Sequence, residues 1–497
     1  MKQLCLLLAA TVLLYACGDR QPEPTKPSTD TTQGSQGTYR SISEFKSQAT
    51  KPDIKVQIDG LSGGGYAYLI GTFLGQNFRA DSAAVSVNGQ LNFKADEPYH
   101  PGHYYLLLPN GSNFQLLIDL NQQFSIRTNL SDLAGALSFE GSIDNDLLYQ
   151  AIRFEESQRP GFAQISQQLQ GLQAGTEAYR AVKDQQNKML DERKAFLDDL
   201  FAKHPNTLFT QFKRAGQNPD VRDAFRPNGT MDTTRYTYLF RTRFWDGVDF
   251  NDERLLYTPV VSNKLKRYIN ELTVQQPDSI VAAAYFLVDQ TIGKKEFFKY
   301  FANWIVINYD PKESTLMDAQ AVFVRMIEKY FTYERAFWAD SVEVYGLQLR
   351  AYEMSASLVG KKGPDVQAPD PSGKLRSIYE MTAPYIIVYM WNPDCEHCAE
   401  QTPKLVANYP NWKKDGIDVY GIAVNTEDDK WKAAIQKYRM PWVNVFDPTN
   451  KSIYGKYYVD NTPEVYVLNP DRTIIGKNLQ VDQIMIIIDR DRQKRGK

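Results

Sequence analysis

The segment Tyr385-Ile-Ile-Val-Tyr-Met390 runs directly into Trp391-Asn-Pro-Asp-Cys-Glu-His-Cys398, and this junction limits what the chain can fold into more than any other feature. The first six residues read as a buried strand, and Ala399 to Tyr409 reads as a helix. Two thiols two residues apart therefore sit at a strand-to-helix turn. Free backbone N–H groups and the helix dipole stabilise a thiolate at such a turn, and a thiolate is the reactive form of cysteine. The arrangement suits disulfide exchange.

The sequence around the junction alternates in the same way. Gly363 to Asp370 and Ser372-Gly-Lys374 read as an extended entry and a tight hairpin. Strands are expected at 417–424, 442–446, 464–468 and 473–476, with helices at 428–439 and 481–489 and a turn at Asn469-Pro-Asp471. Elements of these lengths in this order make an α/β domain. The basic end, Arg490 to Lys497, reads as a solvated tail.

At 497 residues the chain is too long for one ordinary domain. A net charge of −2 gives no reason to expect nucleic acid as a partner, because phosphate binding needs clustered positive charge. Lys2, the apolar run Leu4 to Tyr15, and Leu14-Tyr-Ala-Cys17 before Gly18-Asp19 resemble a lipoprotein signal peptide (1–17) with its lipobox. That resemblance implies cleavage before Cys17 and lipidation of it, so lipid alone would hold the mature protein to the membrane. Of four cysteines only Cys395 and Cys398 would then remain as thiols. A structural disulfide competes with a redox role, although so small a loop restrains the unfolded chain little. A structural zinc site wants four ligands and only His397 lies nearby, so no metal is expected.

Residues 18–45 are rich in Pro, Ser, Thr and Gly and read as a flexible linker, with a reach on the order of 30 Å. From Ile54 the apolar period is two, and strand-like runs continue through Val85-Ser-Val87, an Asn88-Gly89 hairpin, Leu91 to Phe93, 104–108, 114–120 and 137–139. This predicts an antiparallel β-sandwich over 50–141. Gly63-Gly-Gly65 reads as a turn, His100 and His103 as surface residues, and Ser43-x-x-Lys46 as a chance match beside the linker. From 145 to 357 the period turns helical, as in Met189, Phe196, Leu197, Leu200 and Phe201 up to Pro205, and in Phe323, Met326, Ile327 and Tyr330. Trp245, Trp304 and Trp338 read as core of this α-helical domain.

Over residues 362–497 the sequence resembles the thioredoxin-like family, and within it the membrane-anchored bacterial thiol–disulfide oxidoreductases. The resemblance rests on the strand ending in Trp391, the Cys395-Glu-His-Cys398 pair, Pro403 in the following helix, and Thr462-Pro463 before a strand. It implies a cis proline at 463 facing the sulfurs, Cys395 as the attacking thiol, Cys398 as the resolving thiol, and Trp391, Thr462 and Pro463 as substrate-binding residues. Glu396 and His397 would tune the potential in opposite senses. Two positions depart from the pattern: Tyr389 stands where thioredoxins have a buried carboxylate, and Gln401 where the anchored reductases often have a glutamate. Glu400 or Glu464 is then the candidate proton acceptor.

The expected function is an envelope thiol–disulfide oxidoreductase, facing the periplasm and acting as a reductase of disulfide-containing proteins. It would use no cofactor beyond the Cys395–Cys398 disulfide and would exchange electrons with a membrane donor or acceptor. A peroxidase reading fares poorly, since Asn392 occupies the place where that group wants Thr or Ser. The alternative is a lipid-anchored peptide- or glycan-binding lipoprotein whose redox module is accessory.

Overall fold

The computed structural model describes residues 38–496. The expected signal peptide, Cys17 and most of the expected linker lie outside the described residues. The linker expectation fails at its end. From Tyr39 the chain is docked: the Tyr39 hydroxyl bonds to Glu253, and Ser41 caps a helix, α1 (Ile42–Gln48). Phe45 of α1 is buried beneath the guanidinium groups of Arg40 and Arg254, at 4.7 and 4.3 Å. Ser43 and Lys46 both fall on this short helix.

Eight strands follow: β1 (Asp53–Asp59), β2 (Tyr66–Phe73), β3 (Gln76–Ala84), β4 (Gln90–Lys94), β5 (Gly102–Leu107), β6 (Asn113–Ile118), β7 (Gln123–Asn129) and β8 (Ser138–Glu140). They form two four-stranded sheets, β4-β1-β7-β8 and β3-β2-β5-β6. The first sheet is mixed rather than antiparallel, because β1 runs parallel to β7. The Asn88-Gly89 turn is also no hairpin. It carries the chain from β3 in one sheet to β4, which pairs with β1 in the other. The hairpin lies earlier, where Leu74 and Gly75, both at positive φ, join β2 to β3.

In β1, Ile54, Val56 and Ile58 are buried and alternate with more exposed residues, as a strand covered on one face should be. β5 is buried at nearly every position because helices cover its outer face. These are α2 (Ile143–Gln170), α3 (Glu177–Lys203) and α4 (Leu208–Ala215), which share the sandwich's core through Leu148, Leu197, Leu200 and Phe209. Asn145 satisfies both backbone groups of Leu117 on the edge strand β6, at 2.8 and 2.7 Å. His103 is consequently buried, not on the surface; it bonds to Gln115 at 3.1 Å and packs against Phe212 of α4. His100 stacks on Tyr257.

A second helical core contains α5 (Thr233–Thr242), α6 (Pro259–Lys266), α7 (Pro277–Asp289), α8 (Lys295–Asn308), α9 (Ala319–Tyr330) and α10 (Ser341–Ser355). Trp245 is buried in it, and Trp304 and Trp338 pack against it. Arg254 ties the parts together: fully buried, it pairs with Asp119 after β6 at 2.7 Å and with Asp252 at 2.6 Å.

The C-terminal domain opens with the hairpin β9 (Gln367–Pro369) and β10 (Leu375–Ser377). It continues through β11 (Tyr385–Trp391), α11 (Glu396–Lys414), β12 (Ile417–Ala423), α12 (Asp428–Tyr438), β13 (Val443–Phe446), β14 (Glu464–Leu468), β15 (Ile474–Gly476) and α13 (Ile484–Lys494). The sheet order is β13-β12-β11-β14-β15, with β11 central, parallel to β12 and antiparallel to β14. The basic end is part of α13 rather than a tail: Arg492 donates to the Asp415 carbonyl at 2.9 Å and Arg495 pairs with Asp471 at 2.7 Å. The domain is fixed to α9 and α10 by Lys477, which bonds to Gln320 and to the Ser357 carbonyl, and by Arg350 near Asp460. Among the described residues no helix is long and apolar enough to cross a membrane.

Candidate active site

Every residue of β11 is buried, so the strand is held in the middle of the sheet and delivers its C-terminal end to one fixed place. There the Asn392 side chain accepts from the Asp394 N–H at 2.8 Å and the Cys395 N–H bonds back to the Asn392 carbonyl at 3.2 Å. This tight turn makes Cys395 the N-cap of α11, with its sulfur accepting from the Cys398 N–H at 3.3 Å. Both cysteines are free thiols, Cys395 half-buried and Cys398 buried. The Cys395 thiol also donates to the Thr462 carbonyl at 2.9 Å. Thr462-Pro463 is a cis peptide, as the family resemblance implied, and both residues are half-buried beside the sulfur.

The two thiols differ sharply in acidity. Burial pushes Cys395 up, but hydrogen bonds from the Cys398 thiol, from Thr462 and from the N–H groups of Cys398 and His397 outweigh it and leave the thiol below its usual range. Cys398 is pushed up to about 12, first by burial and further by the neighbouring Cys395. One thiol is set up to attack and the other is held protonated until needed.

Several expectations require correction. Trp391 is fully buried beneath the pair, stacked on Tyr389, and cannot touch a substrate. Its strand ends inside the core, so the side chain that closes β11 supports the cysteines from below. Glu400 is exposed and paired with Lys404 at 2.7 Å, away from both sulfurs. Glu464 pairs with Met390 across β14 and β11, and side chains alternate along a strand. Val465 and Val467 share the core of Cys398, whereas Tyr466 and Leu468 pack on the opposite face, so Glu464 points away from the sulfurs. Neither carboxylate serves as acceptor for Cys398 in this arrangement. Glu396 and His397 are exposed, and what His397 gives Cys395 is its backbone N–H.

The structure also accounts for the two departures from the family pattern. Gln401 is buried and accepts from the Val481 N–H at 3.2 Å, tying α11 to the start of α13. Thr402 donates to the Cys398 carbonyl at 2.7 Å, so the Tyr389 hydroxyl, 2.7 Å from Thr402, must be the donor in their contact. Burial and the nearby Cys398 push Tyr389 far up, which keeps it neutral.

Sequence reasoning missed a polar cavity of about 480 Å³ beside Thr462, lined by Lys312, Asn425, Tyr454, Asp460 and Asn461 among others. Lys312 comes from the helical region, Tyr454 from a short helical turn at Ser452–Lys456, and the rest from two loops of the C-terminal domain. Only Asn425 carried a local signal, an asparagine ending a strand, and it adopts positive φ and holds Asn392 through its carbonyl at 2.8 Å.

A five-stranded sheet with a thiol pair capping the helix after its central strand, faced by a cis proline, defines a thioredoxin-like domain. The C-terminal domain is thioredoxin-like and is similar to thiol–disulfide oxidoreductases. Residues 359–482 match the AhpC/TSA family, and residues 53–148 match a domain of unknown function, DUF4369. Thiol-disulfide oxidoreductase ResA of Bacillus subtilis is 22% identical over 118 residues, which are 23% of this chain and 64% of that protein. This chain thus spans less than two thirds of that relative. Its namesake from Geobacillus kaustophilus is 22% identical over 27% of this chain and 72% of its own length. Among solved structures, a thioredoxin-like protein from Bacteroides caccae is 19% identical over 55% of this chain and 97% of its own, with a TM-score of 0.46. A domain described as a "possible thiol-disulfide isomerase" from Cytophaga hutchinsonii is 30% identical over 28% of this chain and 97% of its own, with a TM-score of 0.26.

Proposed function

We propose that this chain is an envelope thiol–disulfide oxidoreductase that reduces disulfides in proteins through Cys395 and Cys398, anchored by lipid on Cys17 and facing the periplasm. The observation that carries the proposal is the geometry of the pair: Cys395, half-buried, caps the helix N-terminus beside the Thr462 carbonyl and accepts from the Cys398 N–H, while Cys398 is buried behind it. The Cys395 thiolate attacks one sulfur of the substrate disulfide. The substrate S–S bond breaks, one substrate sulfur leaves as a thiolate, and a mixed disulfide remains. Cys398 then loses its proton and attacks the Cys395 sulfur, the mixed disulfide breaks, and the second substrate sulfur leaves. The substrate has gained two electrons and two protons, and the enzyme holds a Cys395–Cys398 disulfide. A dithiol donor at the membrane returns it to the reduced form.

The half-buried Thr462-Pro463 segment supports binding of an extended substrate backbone, and the polar cavity next to it supports a polypeptide rather than a small thiol. The test is to incubate Cys398→Ser and Cys395→Ser variants with envelope extract. Cys398→Ser should accumulate protein-linked mixed disulfides and Cys395→Ser should not. Equal trapping by both, or by neither, would remove Cys395 from the attacking role.

A further inference from the structure

A second cavity, also about 480 Å³, lies where α2, α3 and α4 meet α6, and its lining includes no residue of the C-terminal domain. Its size falls within the range of small-molecule sites. Leu148, Ile152, Phe212 and Val260 make its apolar walls. Its charged groups are four cations, Arg193, Lys213, Lys264 and Arg267, against one acid, Glu155. Glu155 is already shared by Arg193 at 2.7 Å and Lys213 at 3.2 Å.

Lys264 is the unusual member. It is 7% exposed, and among the described residues no carboxylate lies within ion-pair distance of it. One hydrogen bond, to the Gln217 carbonyl at 3.2 Å, and the Phe244 ring at 4.3 Å are its polar contacts. An ammonium carries three donors, and a buried cation without a counter-charge is costly. Asp246 acts on it from beyond ion-pair range, and neighbouring Arg267, which reaches Glu271 at 3.9 Å, adds a second positive charge. Burial and Arg267 push the Lys264 ammonium down to about 8, which records the missing partner.

We propose that this cavity binds a carboxylate ligand with an apolar body, the carboxylate meeting Lys264 and Arg267 and the body lying against Leu148, Ile152, Phe212 and Val260. The site is separate from the redox centre and gives the N-terminal region a binding role of its own.

The test is calorimetric titration of the intact chain with 3-phenylpropionate and, separately, with its neutral amide. The acid should bind at least tenfold more tightly than the amide. Lys264→Met, which keeps the aliphatic stem, should weaken the acid at least tenfold while leaving dithiol turnover at Cys395 and Cys398 unchanged. Equal binding of acid and amide, no binding of the acid at millimolar concentration, or full binding by Lys264→Met overturns the proposal. Should Lys264→Met fail to fold, the acid–amide comparison on the unaltered protein decides alone.

Discussion

Replacing Gln401 by glutamate should accelerate the second chemical step of this enzyme without changing the first. Cys398 stands at about 12 against an ordinary 9.0, so at neutral pH its thiolate population is about a thousandfold below that of an ordinary cysteine, or about 4 kcal/mol less accessible. In the mixed disulfide the contribution of Cys395 is gone, but burial, the largest cause, remains. The groups acting most strongly on Cys398 are the Asn392 N–H, Cys395 and Thr462, none of them a carboxylate. The resolving rate should therefore climb about tenfold per pH unit from 7 to at least about 10. An aryl disulfide that releases a coloured thiolate separates the steps, because Cys395 releases the first equivalent and Cys398 the second. Gln401→Glu keeps an acceptor for the Val481 N–H and adds a base three residues after Cys398. It should speed the second release at neutral pH by about tenfold or more and flatten its pH dependence. A wild-type second phase that levels off below about pH 9 would show that Cys398 already has a proton acceptor, and the reasoning would fail.

Glu400→Gln should leave the pH profile of both phases unchanged, since Glu400 is exposed and paired with Lys404; a shifted profile would return it to the site. His397→Ala should move the reduction potential by less than about 30 mV, whereas His397→Pro, which removes the N–H at a helix position that tolerates proline, should make Cys395 a measurably weaker acid, its pKa moving up by thiolate absorbance. Glu464, pushed up to about 7 first by burial despite Lys477, favours its neutral form in the folded state. That contribution to stability is complete below about pH 4.5 and is lost as pH rises through 7, so Glu464→Gln should match wild type near pH 5 and exceed it near pH 8 by up to about 3 kcal/mol in denaturant titrations. A less stable variant at pH 8 would mean that attraction to the Lys477 charge outweighs desolvation. Arg254→Ala, which strands Asp119 and Asp252 in the interior, should cost about 3–5 kcal/mol in the same titrations; a loss under 1 kcal/mol would contradict its tying role.

The C-terminal domain was legible because its signals are local. An unbroken apolar strand, a thiol pair at the next helix start, Thr462-Pro463 before a second apolar strand, and the Ser372-Gly-Lys374 turn each announce themselves within a few residues. The sheet pairing of β1 was not legible, since alternation gives the buried face and leaves the neighbour open, and β7 proved a parallel neighbour. Asn88-Gly89 made a turn as expected, but the sequence says nothing of which sheet receives the next strand. His103 and the basic C-terminus were misplaced for a common reason: polar residues were assigned to water, whereas α4 covers the first and the second supplies hydrogen bonds that close α13 on the domain. Glu464 is a candidate proton acceptor by sequence, but the pleat of β14 sends it to the face away from the sulfurs. The two cavities are assembled from residues far apart in the chain, beyond the reach of any spacing argument.

The most direct test of the account is the reduction potential of the Cys395/Cys398 pair in the intact chain, equilibrated against dithiol buffers with Cys395→Ser as control. The account predicts a reversible two-electron couple between about −270 and −180 mV, near the thioredoxin end for a reductase. A potential outside that interval would contradict it, and a pair that does not cycle with dithiols would leave the bridge a structural one.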